Sequence, residues 1–398
     1  MKRKNNLLPF ALTAIFVFLL NWYVLSGILV FNRSAYIAPV FWSLIAAITL
    51  SLFYAINRVK EHGMDRFFKL IVHVSLTLIT AELVLSFMLL IGDIPRIITG
   101  SSRNNYWVEF SFLLFLLTIL LFIYGIVRGK YNYKVISHIL YFDHLPANFE
   151  GFRLVQISDV HAGSFTNPKA VQRGIEMINQ QQADLFVFTG DLVNNKAEEI
   201  KPWIPYFSQI KAPYGQFSVL GNHDYGDYIK WDTDHDKRNN LQQLKKYHAE
   251  LGFRLLLDEH VQISKGNQYI VLAGVENWGI GFGERGDLQK AMKGTSENEF
   301  KILLSHDPTH WESQVKTYLP KIDLTLAGHT HGMQFGFEVF GFKWSPVKYR
   351  YAHWAGLKEE NGRTLHINRG FGFIGFSGRI GIWPEITVIE FRKKPVSN

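Results

Sequence analysis

Four long runs almost free of charge fill the first third of the chain. Leu7 to Phe31 carries no charged residue over 25 positions, Ala35 to Ile56 none over 22, and Phe110 to Val127 none over 18. Leu70 to Gly92 carries one acid, Glu82, and one histidine, His73. Each run is close to the ~20 apolar residues that cross a bilayer core. A helix at a water-facing surface keeps one polar stripe, and these segments have none. The pattern therefore predicts membrane spans at about 7–31, 35–56, 70–92 and 107–127. Four spans in series also argue against a cleaved signal peptide, whose apolar region is ~7–15 residues. Trp22, Tyr23, Trp42, Tyr54, Trp107 and Tyr124 have the amphipathic rings that favour membrane interfaces.

Charge sharpens this division. The chain has a net charge of +8, which by itself resembles a nucleic-acid or anionic-surface signal. All of the excess lies in residues 1–135, with 13 basic and 5 acidic residues, whereas 136–398 hold 29 of each. No nucleic-acid partner is expected. Lys2, Arg3, Lys4, Arg58, Lys60, Arg66, Lys69, Arg128, Lys130 and Lys134 flank the spans on one side, against Arg33, Arg96 and Arg103 on the other. By the positive-inside bias, both termini and everything after the fourth span are expected in the cytoplasm, with the chain multi-pass in the cell (inner) membrane. The chain has no cysteine, which excludes a disulfide scaffold, a zinc-thiolate site and a cysteine nucleophile. Glu82 stands out because a carboxylate within a span is costly; it is either functional or a hydrogen-bonded acid inside the bundle.

Residues 136–150 read as a junction. From Gly151 to the end, short β-rich runs appear, several ending in polar residues. Arg153–Ile157 leads to Ser158-Asp159-Val160-His161, and Leu185–Thr189 to Gly190-Asp191. Gln216–Leu220 leads to Gly221-Asn222-His223-Asp224, Lys301–Ser305 to His306-Asp307, and Leu324–Ala327 to Gly328-His329-Thr330-His331-Gly332. Helices are expected from Pro168, capped by Asn167, to Gln181 and over Asn240–Leu251. Open α/β sheets bind ligands beyond the carboxyl ends of their strands, so five such turns can share one cleft. Asp, Asn and His offer oxygen and imidazole donors without thiolate, which suits Mn, Fe or Zn. Gly190, Gly221 and Gly328 permit sharp backbone turns beside the site.

This ordered series resembles the calcineurin-like metallophosphoesterase superfamily, and most closely its membrane-associated bacterial branch, where a segment similar to Pro384–Thr387 closes the domain. The resemblance covers most of 151–398 and leaves the four spans outside it. It implies an α+β, four-layer αββα sandwich metallophosphoesterase domain with two divalent metal ions between the sheets. By the same resemblance Asp159, His161 and His331 hold the first metal, Asp191 bridges, and Asn222, His306 and His329 hold the second. His223 faces the substrate phosphate and Asp224 orients His223. The implied reaction is hydrolysis of a phosphoester or pyrophosphate by a hydroxide held between the metals. Met333 departs from the pattern, which commonly has glycine there.

Other features carry two readings each. Asp232, Asp234, His235 and Asp236 are a cation site or a solvated helix start. Lys237, Arg238, Lys245 and Lys246 contact a phosphorylated headgroup or are solvated. The aromatic stretch from Phe335 to Trp354, continued by Phe371, Phe373 and Phe376, is core packing or an apolar rim for acyl chains. Arg369 and Arg379 contact phosphate or lie at the surface. His310, His353 and His366 lack ligand spacing and are expected to be structural. Confinement to a bilayer raises the effective concentration of lipid substrates, so the expected partners are the bilayer and a phosphorylated or lipid-linked substrate. A tethered phosphodiesterase or phosphatase for soluble or protein substrates remains open, as does a non-catalytic membrane sensor or scaffold.

Overall fold

The computed structural model describes residues 7–63 and 65–395; Lys2, Arg3 and Lys4 lie outside them. The chain divides into two compact units, one ending at Gly125 and the other beginning at Ile126.

The first unit consists of α1 (Leu7–Phe31), α2 (Ile37–His62), α3 (Arg66–Thr99) and α4 (Asn105–Val127). All four are long and apolar enough to cross a membrane. At 34 residues, α3 outruns the apolar stretch read from sequence. Its ends explain this. Asp65 caps the start by accepting from the Phe68 amide at 2.8 Å, and Gly100 ends the helix in the left-handed conformation. At 1.5 Å per residue such a helix is ~50 Å long against an apolar core of ~30 Å, so its charged ends extend past the apolar layer. Val24, Leu85, Leu89 and Val108 form a buried cluster, and Gly27 lets α1 approach the Leu89 side chain closely. Glu82 is buried in the same helix.

The second unit is built on two six-stranded mixed sheets. The first runs Lys134–Phe142, Glu385–Lys393, Arg153–Ile157, Leu185–Phe188, Gln216–Ser218 and Arg254–Leu255. The second runs Gly356–Glu360, Arg363–Ile367, Leu324–Ala327, Lys301–Leu304, Gln268–Gly274 and Glu259–Lys265. Strand residues alternate between faces, so each sheet feeds two cores. Leu154, Leu185 and Val187 of the first sheet meet Leu272, Ile302 and Leu304 of the second in a core between the sheets. Val155, Ile157, Phe186 and Phe188 point the other way, onto Val171 and Ile175 of helix Pro168–Asn179 and Leu244 of helix Asp234–Glu250. Ala273, Leu303 and Ile367 cover the far face of the second sheet against Leu288, Ala291 and Trp311. These are the four layers expected from the resemblance.

Two differences from the sequence reading have physical causes. The segment read as a junction forms the edge strand Lys134–Phe142, paired in parallel along its length with Glu385–Lys393. A pairing between residues some 250 positions apart leaves no local trace. Helix Asp234–Glu250 begins earlier than expected because Thr233 accepts from the Asp236 amide at 3.1 Å. Asp234 and Asp236 thus stand in a first helical turn, where acids are favourable, which accounts for that acidic cluster.

Phe391 ties the closing strand to the inter-sheet core, its ring within 6 Å of Phe142, Phe152 and Phe300. We predict that Phe391→Ala removes about 3–5 kcal/mol of stability. A thermal unfolding midpoint equal to that of the parent chain would show the core is not seated there.

Candidate metal centre

Every residue that the sequence pattern singled out as a ligand lies in a turn beyond the carboxyl end of a strand, and the turns converge. Asp159, His161 and His331 form one group of candidate ligands; Asp191, His306 and His329 form a second. In the first, the Nε2 atoms of His161 and His331 lie 3.0 Å apart, and His331 Nε2 is 3.2 Å from Asp159 Oδ1. In the second, His306 Nε2 is 3.3 Å from His329 Nδ1, which is 2.9 Å from Asn222 Oδ1. Asp191 belongs to both: its Oδ2 lies 3.2 Å from His306 Nε2 and 3.6 Å from His161 Nε2.

Hydrogen bonds outside the groups decide which nitrogen faces in. His306 Nδ1 lies 2.7 Å from the Thr189 carbonyl, which can only accept, so Nδ1 carries the proton and Nε2 turns to Asp191. Asp307 stands behind His329, its Oδ2 3.4 Å from Nε2, leaving Nδ1 for the site. Asp307 was given no role from sequence, because a carboxylate beside a histidine in the chain does not reveal whose ring it backs. Gln156, also missed, is buried between the sheets. Its Nε2 donates to Thr189 Oγ1 at 3.0 Å and to the Ala327 carbonyl at 2.9 Å, clasping two of the strand ends that carry ligands.

His223 is half-buried beside the first group, its ring centroid 5.0 Å from that of His161. Its orientation differs from expectation. Nδ1 bonds the Asn194 carbonyl at 2.8 Å, whereas Asp224 turns away into the backbone. The Asp224 carboxylate accepts from the amides of Gly221, Asp191, Leu192 and Val193 at 2.8–3.2 Å, two per oxygen. Asp224 therefore does not orient His223; it fixes the two turns that present Asp191 and Asn222. Burial and the Asp191 charge push its carboxyl up, and the amides oppose them. With each oxygen accepting two bonds, no lone pair is left for a proton, and we read the group as ionised.

The donor set fits cations. Burial by itself would raise Asp191, but the His306 and His223 imidazoles beside it hold its carboxyl well below the usual range. Burial opposes charge on His306, yet Asp191 outweighs it and pushes the ring up to about 10. Burial also pulls His161 down, and His329 down to about 4. Two buried carboxylates thus draw positive charge into a space walled by imidazole lone pairs, where a divalent cation would take the place of those protons. Backbone strain points to the same atoms. Asp159, His161, Asp191, His329 and His331 all hold φ between 47° and 71°, a left-handed conformation unusual outside glycine. At Gly221 any side chain would collide with the Asp191 carboxylate, so that close approach demands glycine. Met333 takes φ 48° where the pattern has glycine, leaving the metal ligands in place and its own side chain exposed.

Other sequence candidates have internal partners. Arg369 is buried in ion pairs with Glu385 and Glu338, whereas Arg379 is buried behind the first group, its Nη2 3.2 Å from His331 Nδ1, 2.8 Å from the Arg369 carbonyl and 2.7 Å from that of Gly372. Neither is a surface arginine, and both are committed to internal partners. Lys237 pairs with Asp227. His310 and His366 are buried and bonded to Ser305 and Gln156, and His353 to the Gly356 carbonyl, as structural residues.

Comparisons with known proteins agree with this geometry. Residues 152–333 match the family model for calcineurin-like phosphoesterase, and residues 5–130 match that for the transmembrane domain of a probable calcineurin-like phosphoesterase. Residues 152–333 are thus a calcineurin-like phosphoesterase domain, of a family that is metal-dependent, and residues 5–130 a transmembrane phosphoesterase domain. Among curated relatives it is 28% identical over 292 residues to a zebrafish (Danio rerio) transmembrane protein with metallophosphoesterase domain, covering 71% of this chain and 62% of that one. It is 28% identical over 274 residues to the uncharacterized metallophosphoesterase YkuE of Bacillus subtilis, covering 68% of this chain and 90% of that one. The match thus spans less than two thirds of the zebrafish protein.

Asp224→Asn sets an NH₂ against backbone N–H groups. We predict a loss of about 1–3 kcal/mol, with a lower thermal midpoint and reduced metal retention. If that variant keeps its midpoint and metal but loses activity, Asp224 acts in the chemistry instead.

Proposed function

We propose that this membrane-anchored metallophosphoesterase hydrolyses phosphoester or pyrophosphate bonds through the Asp191-centred site, that its substrate is lipid-linked, and that the domain faces the cytoplasm at the cell membrane. The observation that carries the reaction is the sharing of Asp191 by two donor groups with His223 alongside. Asp159, His161, His331 and Asp191 would hold one divalent cation, and Asp191, Asn222, His306 and His329 the other. The thiolate-free donor set favours Mn, Fe or Zn. What such a bound pair supplies is Lewis-acid polarisation of the phosphoryl group and activation of water.

The chain's own residues supply the rest. The Asn194 carbonyl keeps a proton on His223 Nδ1, so Nε2 is the nitrogen left to face the substrate. In the protonated ring, Nε2–H stabilises charge on the phosphoryl oxygens and gives its proton to the leaving oxygen as the phosphorus–oxygen bond to it breaks and the bond from hydroxide forms. The burial of Asp159, Asp191 and His306 excludes competing solvent from the donor groups.

Placement supports the lipid reading. Strands Phe337–Val339 and Phe342–Trp344 form a hairpin that begins six residues after His331. Its turn residues Phe340 and Gly341 hold φ 51° and 81°, positions that favour Asn or Gly. Phe340 is nonetheless an aromatic ring with 104% relative exposure, flanked by exposed Val339 and Phe342. Turn chemistry and core packing both argue against phenylalanine there; contact with acyl chains gives it a reason. The expected basic excess at the amino-terminal side supports the orientation.

Two measurements test this. His223→Ala should lower turnover of a chromogenic phosphodiester with Mn²⁺ by ~10²–10⁴-fold while leaving metal stoichiometry unchanged; full turnover would refute its role. Phe340→Ser with Phe342→Ser should depress hydrolysis of a lipid-linked phosphoester in vesicles but spare the soluble diester. Equal rates on both substrates before and after substitution would refute the lipid assignment.

A further inference from the structure

The connections α1–α2 and α3–α4 emerge on the same membrane face, opposite the amino terminus and the α2–α3 connection. Basic residues are disfavoured on the translocated side of short loops. Arg33, Arg96 and Arg103 are the only lysines or arginines between Phe31 and Ile37 and between Gly92 and Asn105. All three line one cavity of about 900 Å³ in the first unit.

The cavity is built around a single acid. Asp93 is buried, with 6% relative exposure, and accepts from Arg103 Nε at 2.8 Å and from Tyr23 Oη at 2.8 Å, with a second Arg103 contact from Nη2. Arg103 Nη1 also donates to Ser26 Oγ at 3.2 Å. One guanidinium is thereby fixed in place. Arg96 reaches Asp93 only at 3.7 Å, and Arg33 has no carboxylate in ion-pair range among the described residues. Three guanidiniums against one carboxylate leave two uncompensated positive charges around a cavity of ligand size.

We infer that α1–α4 carry a binding site for a phosphate group, borne by a lipid headgroup or free, at Arg33, Arg96 and Arg103. Guanidinium forks match phosphate oxygens in pairs, and a prepositioned Arg103 beside two solvent-reaching arginines is suited to a tetrahedral dianion. The site is separate from the metal centre, and nothing in it rests on the hydrolytic reading. It gives the membrane region a recognition role beyond anchoring.

The test is binding of dihexanoyl phosphatidic acid, dihexanoyl phosphatidylcholine and inorganic phosphate to the full chain in detergent, by native mass spectrometry and calorimetry. The expected result is selective retention of phosphatidic acid, weakened at least 10-fold by Arg33→Gln with Arg96→Gln and untouched by Lys69→Gln at the other end of α3. The thermal midpoint reports folding of the double variant, and Arg33→Gln alone, on an exposed residue, should give a partial loss if the double variant is unstable. Displacement of the lipid by inorganic phosphate assigns the site to phosphate itself; retention against it assigns the site to the headgroup. Equal binding of phosphatidic acid by parent and variants, or equal binding of phosphatidylcholine, overturns the proposal.

Discussion

The second unit is organised around a carboxylate that two groups of imidazoles share. Asp191 Oδ2 lies within 3.6 Å of a histidine nitrogen in each group, and Asp191, His161 and His306 are themselves buried. Carboxylates and imidazole lone pairs packed this densely repel one another unless positive charge lies among them. The surroundings are arranged to hold that unfavourable set. Five ligand-bearing residues accept left-handed backbone, Gly221 gives up a side chain, and the Asp224 carboxylate fastens four amides. Such strain persists where the remaining structure over-determines it, here through two sheets with a core between them and a core on each outer face.

The membrane unit has a different solvent and a different logic. Its helices are apolar along most of their length, so apart from Glu82 in mid-α3 their charged residues collect towards the helix ends, where α3 outruns the apolar layer. There Asp93 gathers Tyr23 and Arg103, and the residues that break the expected charge asymmetry share one cavity. Each unit thus gathers charge around one candidate site, carboxylates and imidazoles in the second unit and three arginines about one carboxylate in the first.

Much of this was legible in the sequence, for identifiable reasons. Uncharged runs of 18–25 residues have almost no reading other than membrane helices. Donor residues at strand ends are local signals, and the structure brings Asp159, His161, Asp191, Asn222, His306, His329 and His331 together. What stayed hidden depends on three-dimensional neighbours. Asp224 follows His223 in the chain, which invites a pairing, yet the ring bonds Asn194, nearly thirty residues earlier. Asp307 and Gln156 act on residues of other strands. The strand Lys134–Phe142 finds its partner only at the carboxyl end. Exposed and buried arginines look alike in sequence, so Arg369 and Arg379 could not be sorted without their partners.

The most direct test of the central claim is anomalous X-ray diffraction from Mn²⁺-loaded crystals of the full chain. The account predicts two anomalous peaks, one among Asp159, His161 and His331, the other among Asn222, His306 and His329, with Asp191 contacting both. A single peak in a fully active preparation, or two peaks of which neither contacts Asp191, would contradict it.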